Sequence, residues 1–176
     1  MNNKVTTLKN LIYELQNCCN INDYLTLVKR INLKKEDIAE LCVFNEEKYT
    51  RNCAIKTNAF ELIALCWNPG QKTPIHCHNK QECWMYVVSG EISEEIFIIE
   101  NEKPTKIRES KITSNSFAFI NDMMGVHRIS NNTQKKAISL HLYAAPIEHC
   151  NQYNEQTGKS KLVSLKYDNI INCIND

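Results

Sequence analysis

The chain has no apolar run of the roughly 18 residues that a membrane-spanning helix needs. Its N-terminal stretch also lacks a basic segment followed by an apolar core, the pattern typical of secretion signals. A charge imbalance is absent too, because 21 Lys and Arg side chains are balanced by 20 Asp and Glu. We therefore expect a cytoplasmic protein that binds no nucleic acid and no membrane and whose partner is a small molecule.

No C-x-x-C pair occurs among the nine cysteines, so the usual motif of a structural zinc site is missing. The odd number of cysteines, with no secretion signal before them, favours free thiols in a reducing compartment. Four cysteines fall within apolar patterns and are predicted to be small core residues, namely Cys18, Cys42, Cys66 and Cys173.

A length of 176 residues predicts one domain with one substantial core. Apolar residues at helical spacing predict a helix over residues 5–18, a second helix from about residue 23 and a shorter third helix over 36–43. We expect these helices to form a head, residues 1–44, that packs on the outside of a β-barrel and C-terminal tail formed by residues 45–176.

Short β-rich runs separated by turn residues follow the helical head, and they favour an antiparallel barrel or sandwich over alternating strands and helices. The stretch 151–161 is polar, and we expect it to be a long loop that could cover one end of a barrel. The predicted strands are residues 53–56, 60–67, 75–78, 84–88, 92–99, 106–112, 117–120, 126–130, 137–143 and 162–167.

Four of the five histidines lie in predicted strands, at positions 76, 78, 127 and 141. His76 and His78 are two residues apart, so an extended strand would point both imidazoles to the same face and form half of a metal site. A solvated polar face would give the same H-x-H pattern. Alternation over residues 137–143 likewise places Ser139, His141 and Tyr143 on one face, which is exposed on a surface strand and internal in a barrel.

The spacing of five residues over 70–90 resembles the first signature of the cupin superfamily: Gly70-x5-His76-x-His78-x4-Cys83-x6-Gly90. The block G-V-H-R-I-S-N at 125–131 resembles the second signature, whose histidine completes the metal site. The resemblance implies a mainly β, single-domain cupin, a jelly-roll-like antiparallel β-barrel, with an N-terminal helical segment. Many cupins have a Glu ligand where this chain has Cys83, and the preceding Glu82 is one residue out of register.

Four motifs in order resemble the cysteine dioxygenase family, and the likeness spans residues 49–158. They are Y-T-R-N at 49–52, H-x-H followed by Cys83, I-N-D leading into G-x-H-R at 120–128, and S-L-H-L-Y at 139–143. The resemblance implies a monomeric enzyme in which His76, His78 and His127 hold Fe(II). With O₂ as co-substrate, such an enzyme oxidises the thiol of L-cysteine to a sulfinic acid.

The resemblance also implies roles for residues around the metal. Three neutral imidazoles leave the iron its full double positive charge, which favours an anionic thiolate ligand. Arg51 would hold the substrate carboxylate through its planar fork, and Tyr49 would line the same wall. Relatives that act on mercaptopropionate tend to lack this Arg, so its presence favours L-cysteine.

Tyr143 would direct its hydroxyl toward the bound ligands, with His141 and Ser139 hydrogen-bonded behind it. Animal members of the family join the matching Cys and Tyr through a thioether, so Cys83 and Tyr143 are predicted to form this cofactor during turnover. Cys83 could instead be a plain buried thiol. Cys77 should face away from the metal, and Cys150 matches a family cysteine near the pocket mouth without an assigned role.

Two alternatives remain open from the sequence. The first is a dioxygenase for another small thiol, such as 3-mercaptopropionate or cysteamine, which would share the metal site. The second is a non-catalytic ligand-binding cupin, since three imidazoles also accept zinc or nickel.

Overall fold

A computed structural model describes residues 3–171, and the helical head is present at its N-terminal end. Helix α1 spans Leu8–Gln16, helix α2 spans Ile21–Val28, and a 3-10 helix spans Lys35–Leu41. Helix α1 begins where the Thr7 hydroxyl accepts a hydrogen bond from the Asn10 N–H, which satisfies one of the free donors of the first turn. The three predicted helices are therefore present, with the first shorter at both ends.

Twelve strands follow the head and form two six-stranded sheets. In chain order they are β1 Thr50–Lys56, β2 Phe60–Trp67, β3 Ile75–His76, β4 Glu82–Ser89, β5 Glu91–Glu100, β6 Lys103–Thr113, β7 Phe117–Ile120, β8 Val126–Ser130, β9 Ala137–Ala144, β10 His149–Tyr153, β11 Ser160–Ser164 and β12 Asn169–Ile170. The first sheet has the order β12-β1-β2-β9-β4-β7, and the second has the order β11-β10-β3-β8-β5-β6. Strands distant in the sequence thus become neighbours, as in a jelly roll.

The two sheets face each other, and a hydrophobic cluster fills the space between them. No strand pairing joins one sheet to the other within residues 3–171, so the jelly roll is a sandwich and not a closed barrel as predicted. One further difference from the predicted antiparallel arrangement is that β12 pairs with β1 in parallel, with Asn52 opposite Asn169.

Strand β2 shows why the head must pack where it does, because every one of its residues is buried. Alternation turns Glu61, Ile63, Leu65 and Trp67 toward the second sheet. The other four residues of the strand join the side chains of α1, α2 and the 3-10 helix in a second hydrophobic cluster. The first sheet therefore lies between the helical head and the second sheet, with the head on the outside of the sandwich.

The C-terminal part of the chain differs most from the sequence prediction. Strand β10 and the start of β11 lie in the stretch predicted to be a loop, and only residues 154–159 connect them. The predicted strand over 162–167 is shifted toward the N-terminus, and the two-residue strand β12 was not predicted. Short strands with mixed polarity give little periodic signal, which explains these errors.

The cysteines follow the sequence expectation in most respects. The eight within the described residues are free thiols. Cys66 is buried, whereas Cys18 and Cys42 are half-buried at the edge of the cluster under the helical head. Cys173 lies outside the described residues. None of the helices in this part of the chain is long and apolar enough to cross a membrane.

The packing of α1 predicts a large cost for removing one of its buried side chains. Leu11 is 1% exposed, and truncation to Ala leaves a cavity in the cluster under the head. Leu11→Ala should lower the free energy of unfolding by about 3 kcal/mol, as measured by chemical denaturation. Tyr13→Ala on the same helix, where the side chain is 67% exposed, should change it by less than about 0.5 kcal/mol. Equal losses in the two variants would contradict the packing described for this helix.

Candidate metal centre and substrate pocket

Three imidazoles meet between the two sheets. His76 ends β3 and lies directly opposite His127 on β8, while His78 follows β3 after one residue. The ring centroids are 4.5 to 5.4 Å apart, and one nitrogen from each ring lies within 4.8 Å of the others. The structure therefore brings together the three histidines that the sequence analysis singled out as metal ligands.

The path of the chain around His78 differs from the predicted strand. Strand β3 stops at His76, and Asn79 and Lys80 adopt positive φ values, so strand alternation does not orient His78. Instead the Asp122 carboxylate accepts the backbone N–H of His78 at 2.6 Å and that of Lys80 at 2.7 Å. Asp122 thus holds the turn that carries His78, a role that the sequence analysis missed.

Two of the three rings have one nitrogen engaged away from the cluster. His76 Nδ1 donates to the Pro74 carbonyl at 3.0 Å, and His127 Nδ1 donates to the Glu94 carboxylate at 2.9 Å. These bonds fix the ring orientations and leave Nε2 of each residue as its remaining ligand atom. Such a partner on the far nitrogen is typical of histidines that bind metals.

His78 provides the clearest test of whether a metal fits. Both of its ring nitrogens are buried, and neither has a hydrogen-bond partner among the described residues. A buried imidazole without partners is costly, and a metal ion at the centre of the trio would satisfy one of its nitrogens. The donor set therefore fits a divalent metal bound by three imidazoles.

Burial keeps all three rings in the neutral form that metal binding requires. Desolvation lowers the pKa of His76 to about 4, and it lowers the pKa values of His78 and His127 well below the usual value for histidine. The mutual repulsion of the rings in their charged forms adds to this effect at His78 and His127. No proton then competes with a metal at neutral pH.

Glu94 is a buried carboxyl that the sequence analysis did not identify. It is 2% exposed, and burial raises its pKa to about 7. A signal was available, because Glu94 lies between Ile92 and Ile96 on the inward face of β5. A carboxyl in that position must have a partner, and the partner is His127.

A second row of polar side chains crosses the first sheet beside the imidazole trio. The Trp67 indole N–H donates to Ser139 Oγ at 3.0 Å, and Ser139 Oγ lies 2.9 Å from His141 Nε2. The arrangement that satisfies every donor has the Ser139 hydroxyl donating to Nε2, which leaves the ring proton on Nδ1. Nδ1 of His141 faces the Cys83 sulfur at 3.9 Å.

Cys83 and Tyr143 are directly opposite on the neighbouring strands β4 and β9. Both are buried, and desolvation raises the pKa of the Cys83 thiol and that of the Tyr143 phenol well above their usual values. The Tyr143 ring lies 6.1 Å from the His78 ring and 6.3 Å from the His141 ring. Both groups are thus protonated and adjacent to the trio.

Arg51 lies in the same pocket with its guanidinium almost entirely buried. Nε and Nη2 have no hydrogen-bond partner in the described part of the chain, and the nearest carboxylate oxygen, Glu61 Oε1, is 3.8 Å from Nη2. Tyr49 stacks on Trp67 with the ring centroids 4.8 Å apart and an angle of 22°. One cavity is lined by Tyr49, Arg51, His76, His127 and Tyr143, so it joins two of the clustered imidazoles to a guanidinium whose Nε and Nη2 are unpaired among the described residues.

Comparisons with known proteins agree with this geometry. A family model described as cysteine dioxygenase type I matches residues 2–156. The chain belongs to the cysteine dioxygenase type I family. Cysteine dioxygenase type 1 of Danio rerio is 30% identical over 175 residues, which cover 93% of this chain and 87% of that protein. The Homo sapiens protein of the same name is 28% identical over 153 residues, covering 84% and 76% of the two chains.

Membership in the cysteine dioxygenase type I family confirms the resemblance found in the sequence and identifies the chain as an oxygenase. A solved Klebsiella pneumoniae protein with a double-stranded β-helix domain superposes with a TM-score of 0.50 at 18% identity, covering 73% of this chain and 94% of that one. At this identity the likeness concerns the fold alone, and it agrees with the predicted cupin architecture.

The remaining sequence predictions concern side chains near the family's metal centre. Cys77 is buried and accepts the Asn151 N–H at 3.3 Å, and it is not part of the imidazole cluster. Glu82 is half-buried and lies outside the cluster as well. Cys150 lines the cavity, and burial raises the pKa of its thiol to about 11.

The neutral buried imidazoles predict that the stability of the metal-free protein falls in acid. Unfolding restores the ordinary pKa of 6.5 to these imidazoles. As the pH falls from 6.5 toward 4, the unfolded chain therefore binds protons at these histidines, whereas the folded chain does not. Glu94 opposes this because its pKa is raised in the folded state, but one carboxyl is outweighed by the four imidazoles of residues 76, 78, 127 and 141.

Each extra proton on the unfolded chain lowers the free energy of unfolding by about 1.4 kcal/mol per pH unit. Chemical denaturation of the metal-free protein at pH 7.5, 6 and 5 measures this slope. A free energy of unfolding that is constant over this range would contradict the neutral, buried state of the imidazoles.

Proposed function

We propose that the protein is an iron-dependent thiol dioxygenase that inserts both atoms of O₂ into the sulfur of L-cysteine to give L-cysteine sulfinate. One observation carries the proposal: a cluster of three neutral imidazoles presents two of its members, His76 and His127, to the cavity that a buried guanidinium with unpaired N–H groups also lines. His76, His78 and His127 would hold the metal. Ferrous iron bound there supplies open coordination positions for the substrate and O₂.

Fe(II) is favoured over other divalent ions by the chemistry that the family performs, not by the ligands alone. Three imidazoles accept zinc and nickel as readily as iron, but zinc has no redox chemistry with which to use O₂. Because this site has no carboxylate in the ligand trio, a bound metal keeps its positive charge. That charge lowers the pKa of a substrate thiol and favours the thiolate.

Arg51 would bind the substrate carboxylate. Its Nε and Nη2 atoms are buried and unpaired, and a carboxylate can accept two parallel charge-assisted hydrogen bonds from such a fork. Tyr49, held against Trp67, would form the adjacent wall. A substrate anchored at both ends, by its sulfur at the metal and by its carboxylate at Arg51, has one orientation in the cavity.

A hydrogen-bond donor and two supporting residues would lie beside the reacting sulfur, namely Tyr143, His141 and Ser139. The Tyr143 phenol is protonated because it is buried, so its hydroxyl can donate a hydrogen bond to a substrate atom. Ser139 and Trp67 fix the His141 ring and its proton. Burial lowers the pKa of His141 to about 3, so this ring is neutral at physiological pH.

The other predictions about the chain remain predictions. They are a single domain over residues 1–176, a monomer, a cytoplasmic location and the absence of nucleic-acid or membrane partners. The balanced charge of the sequence supports the last of these.

The role of Arg51 predicts a selective loss of substrate binding. Oxygen uptake by the iron-loaded protein with L-cysteine should be accompanied by a product that is heavier by two oxygen atoms. Arg51→Gln should raise KM for L-cysteine by about 10- to 100-fold, the value of one bidentate charge-assisted contact. Arg51→Lys should recover only part of the loss, because Lys keeps the charge but not the fork.

Arg30→Gln is a control, because Arg30 pairs with Glu14 in the helical head, far in the fold from the cavity, and its KM should be unchanged. A lower KM for 3-mercaptopropionate than for L-cysteine would favour the second thiol as the substrate. Iron-loaded protein that consumes no O₂ with either thiol would instead indicate a ligand-binding protein without this activity.

The position of Cys83 opposite Tyr143 predicts a thioether between them. The Cys83 sulfur would form a bond to the Tyr143 ring as the S–H bond and one ring C–H bond break, and the two protons and two electrons released would reduce O₂ to hydrogen peroxide. Intact mass after turnover with iron, L-cysteine and O₂ should therefore show a fraction of the protein lighter by two hydrogen atoms. Cys83→Ser should abolish this species, whereas Cys150→Ser, which removes another thiol of the cavity, should retain it. The same mass change without iron would contradict the proposal.

A further inference from the structure

Glu61 is a completely buried carboxylate on the inward face of β2. Its Oε2 accepts the Ile147 backbone N–H at 3.0 Å, and its Oε1 lies 3.8 Å from Arg51 Nη2 without a hydrogen-bond partner among residues 3–171. Glu61 does not line the substrate cavity, so it lies behind Arg51 and not beside a substrate. None of the roles proposed above requires this carboxylate.

The C-terminal residues 165–171, here called the strap, close over the outer side of Arg51. The backbone groups of Arg51 are held at both ends, because its N–H donates to Asp168 Oδ2 at 2.9 Å and its carbonyl accepts the Asp168 N–H at 2.8 Å. Leu165 lines the substrate cavity, and its N–H donates to the Glu148 carbonyl at 2.8 Å. Strand β12 within the strap pairs with β1, which carries Arg51.

Tyr167 of the strap reaches the same carboxylate. Its side chain packs against the cluster between the sheets, and its phenol lies near the Glu61 carboxylate and the Cys53 thiol without a direct hydrogen bond to Glu61 Oε1. Burial and then the negative charge of Glu61 raise the pKa of the Tyr167 phenol, so its hydroxyl is a donor at neutral pH. Glu61 is thus approached by a guanidinium, a phenol and a backbone N–H.

The charge of Glu61 affects the orientation of the Arg51 guanidinium. Burying a guanidinium without a counter-charge costs free energy, so its side chain adopts the conformer that brings it closest to an anion or to solvent. Glu61 provides a fixed negative charge on the side of Arg51 that faces away from the cavity. The N–H groups of Arg51 that face the cavity then remain available to donate to a carboxylate that enters it.

We propose that Glu61 is a positioning residue for Arg51, and that the strap, through Tyr167 and Asp168, holds the pair in the orientation that receives the substrate carboxylate. The inference rests on the proposed function of Arg51. It concerns a segment beyond residue 156, where the match to the family model ends. The affinity of the site for carboxylate-bearing thiols thus depends on the C-terminal end of the described chain.

The test is a double-mutant cycle read by binding. Equilibrium dialysis of labelled L-cysteine against the iron-loaded protein without O₂ gives Kd in the absence of turnover. Glu61→Gln should raise Kd about tenfold, the size of one lost charge-assisted contact. In an Arg51→Gln background, Glu61→Gln should add no further increase, because Glu61 acts only through Arg51. A role limited to general stability would give the same factor in both backgrounds and would overturn the proposal.

Tyr167→Phe provides a second variant in case Glu61→Gln does not fold. It removes only a hydroxyl, and it should raise Kd several-fold in the native background and not in the Arg51→Gln background. Glu148→Gln is the matched control, because this neighbouring carboxylate is exposed and pairs with Lys56, and its Kd should be unchanged. An unchanged or lower Kd in both Glu61→Gln and Tyr167→Phe would overturn the proposal.

The failure of the proposed function would look different. If the wild-type protein bound L-cysteine but consumed no O₂, the dioxygenase proposal would fall while the cycle still tested Glu61. If the wild-type protein oxidised L-cysteine but the cycle showed no coupling, the dioxygenase proposal would stand and the positioning role of Glu61 would fall.

Discussion

The desolvation of neutral imidazoles between two packed sheets is the constraint on which the rest of the site depends. Three rings lie with their ligand nitrogens within 4.8 Å of one another, and no ring can take up a second proton and become positively charged there without a large electrostatic cost. The His76 and His127 rings are held from behind by hydrogen bonds to the Pro74 carbonyl and the Glu94 carboxylate, and Asp122 holds the backbone of the turn that carries His78. The protein thus presents three neutral donors and little freedom to rearrange them.

The sandwich explains how such a buried polar centre is compatible with folding. The first sheet buries one face against the helical head, and this packing stabilises the sheet. Its other face can therefore carry Arg51, Glu61, His141 and Tyr143 at positions that apolar side chains would otherwise occupy. Gly125 makes a comparable contribution in the second sheet. A Cβ at this position would come within 2.4 Å of the Phe97 carbonyl oxygen, so only Gly allows β8 to begin this close to β5 and carry His127 into the site.

The sequence was sufficient to predict the helical head, most strands and all three members of the imidazole trio. Most of these features have strong local signals: helical periodicity in 5–18, alternation in 137–143 and the H-x-H spacing. The assignment of His127 came from the resemblance to the second cupin signature. The turn that carries His78 was not predicted, because it is held by Asp122, which is 44 residues away, and no local pattern reports that contact.

Glu61 and Glu94 were missed for a different reason. Both occupy apolar-side positions of strands that were correctly predicted, so alternation alone would have flagged them as buried charges that need partners. Their partners, Arg51 and His127, lie on other strands and could be assigned only once the sheet order was known. The C-terminal strap was beyond prediction, since its two-residue strand has no periodicity to detect.

The central claim is that three imidazoles and no protein carboxylate hold one ferrous ion in the cavity that contains Arg51. A crystal structure of the iron-loaded protein, grown without O₂, tests this most directly. The account predicts anomalous density for one iron atom bound by nitrogens of His76, His78 and His127. Iron bound through an oxygen of Glu94 or Asp122, or located away from this trio, would contradict it.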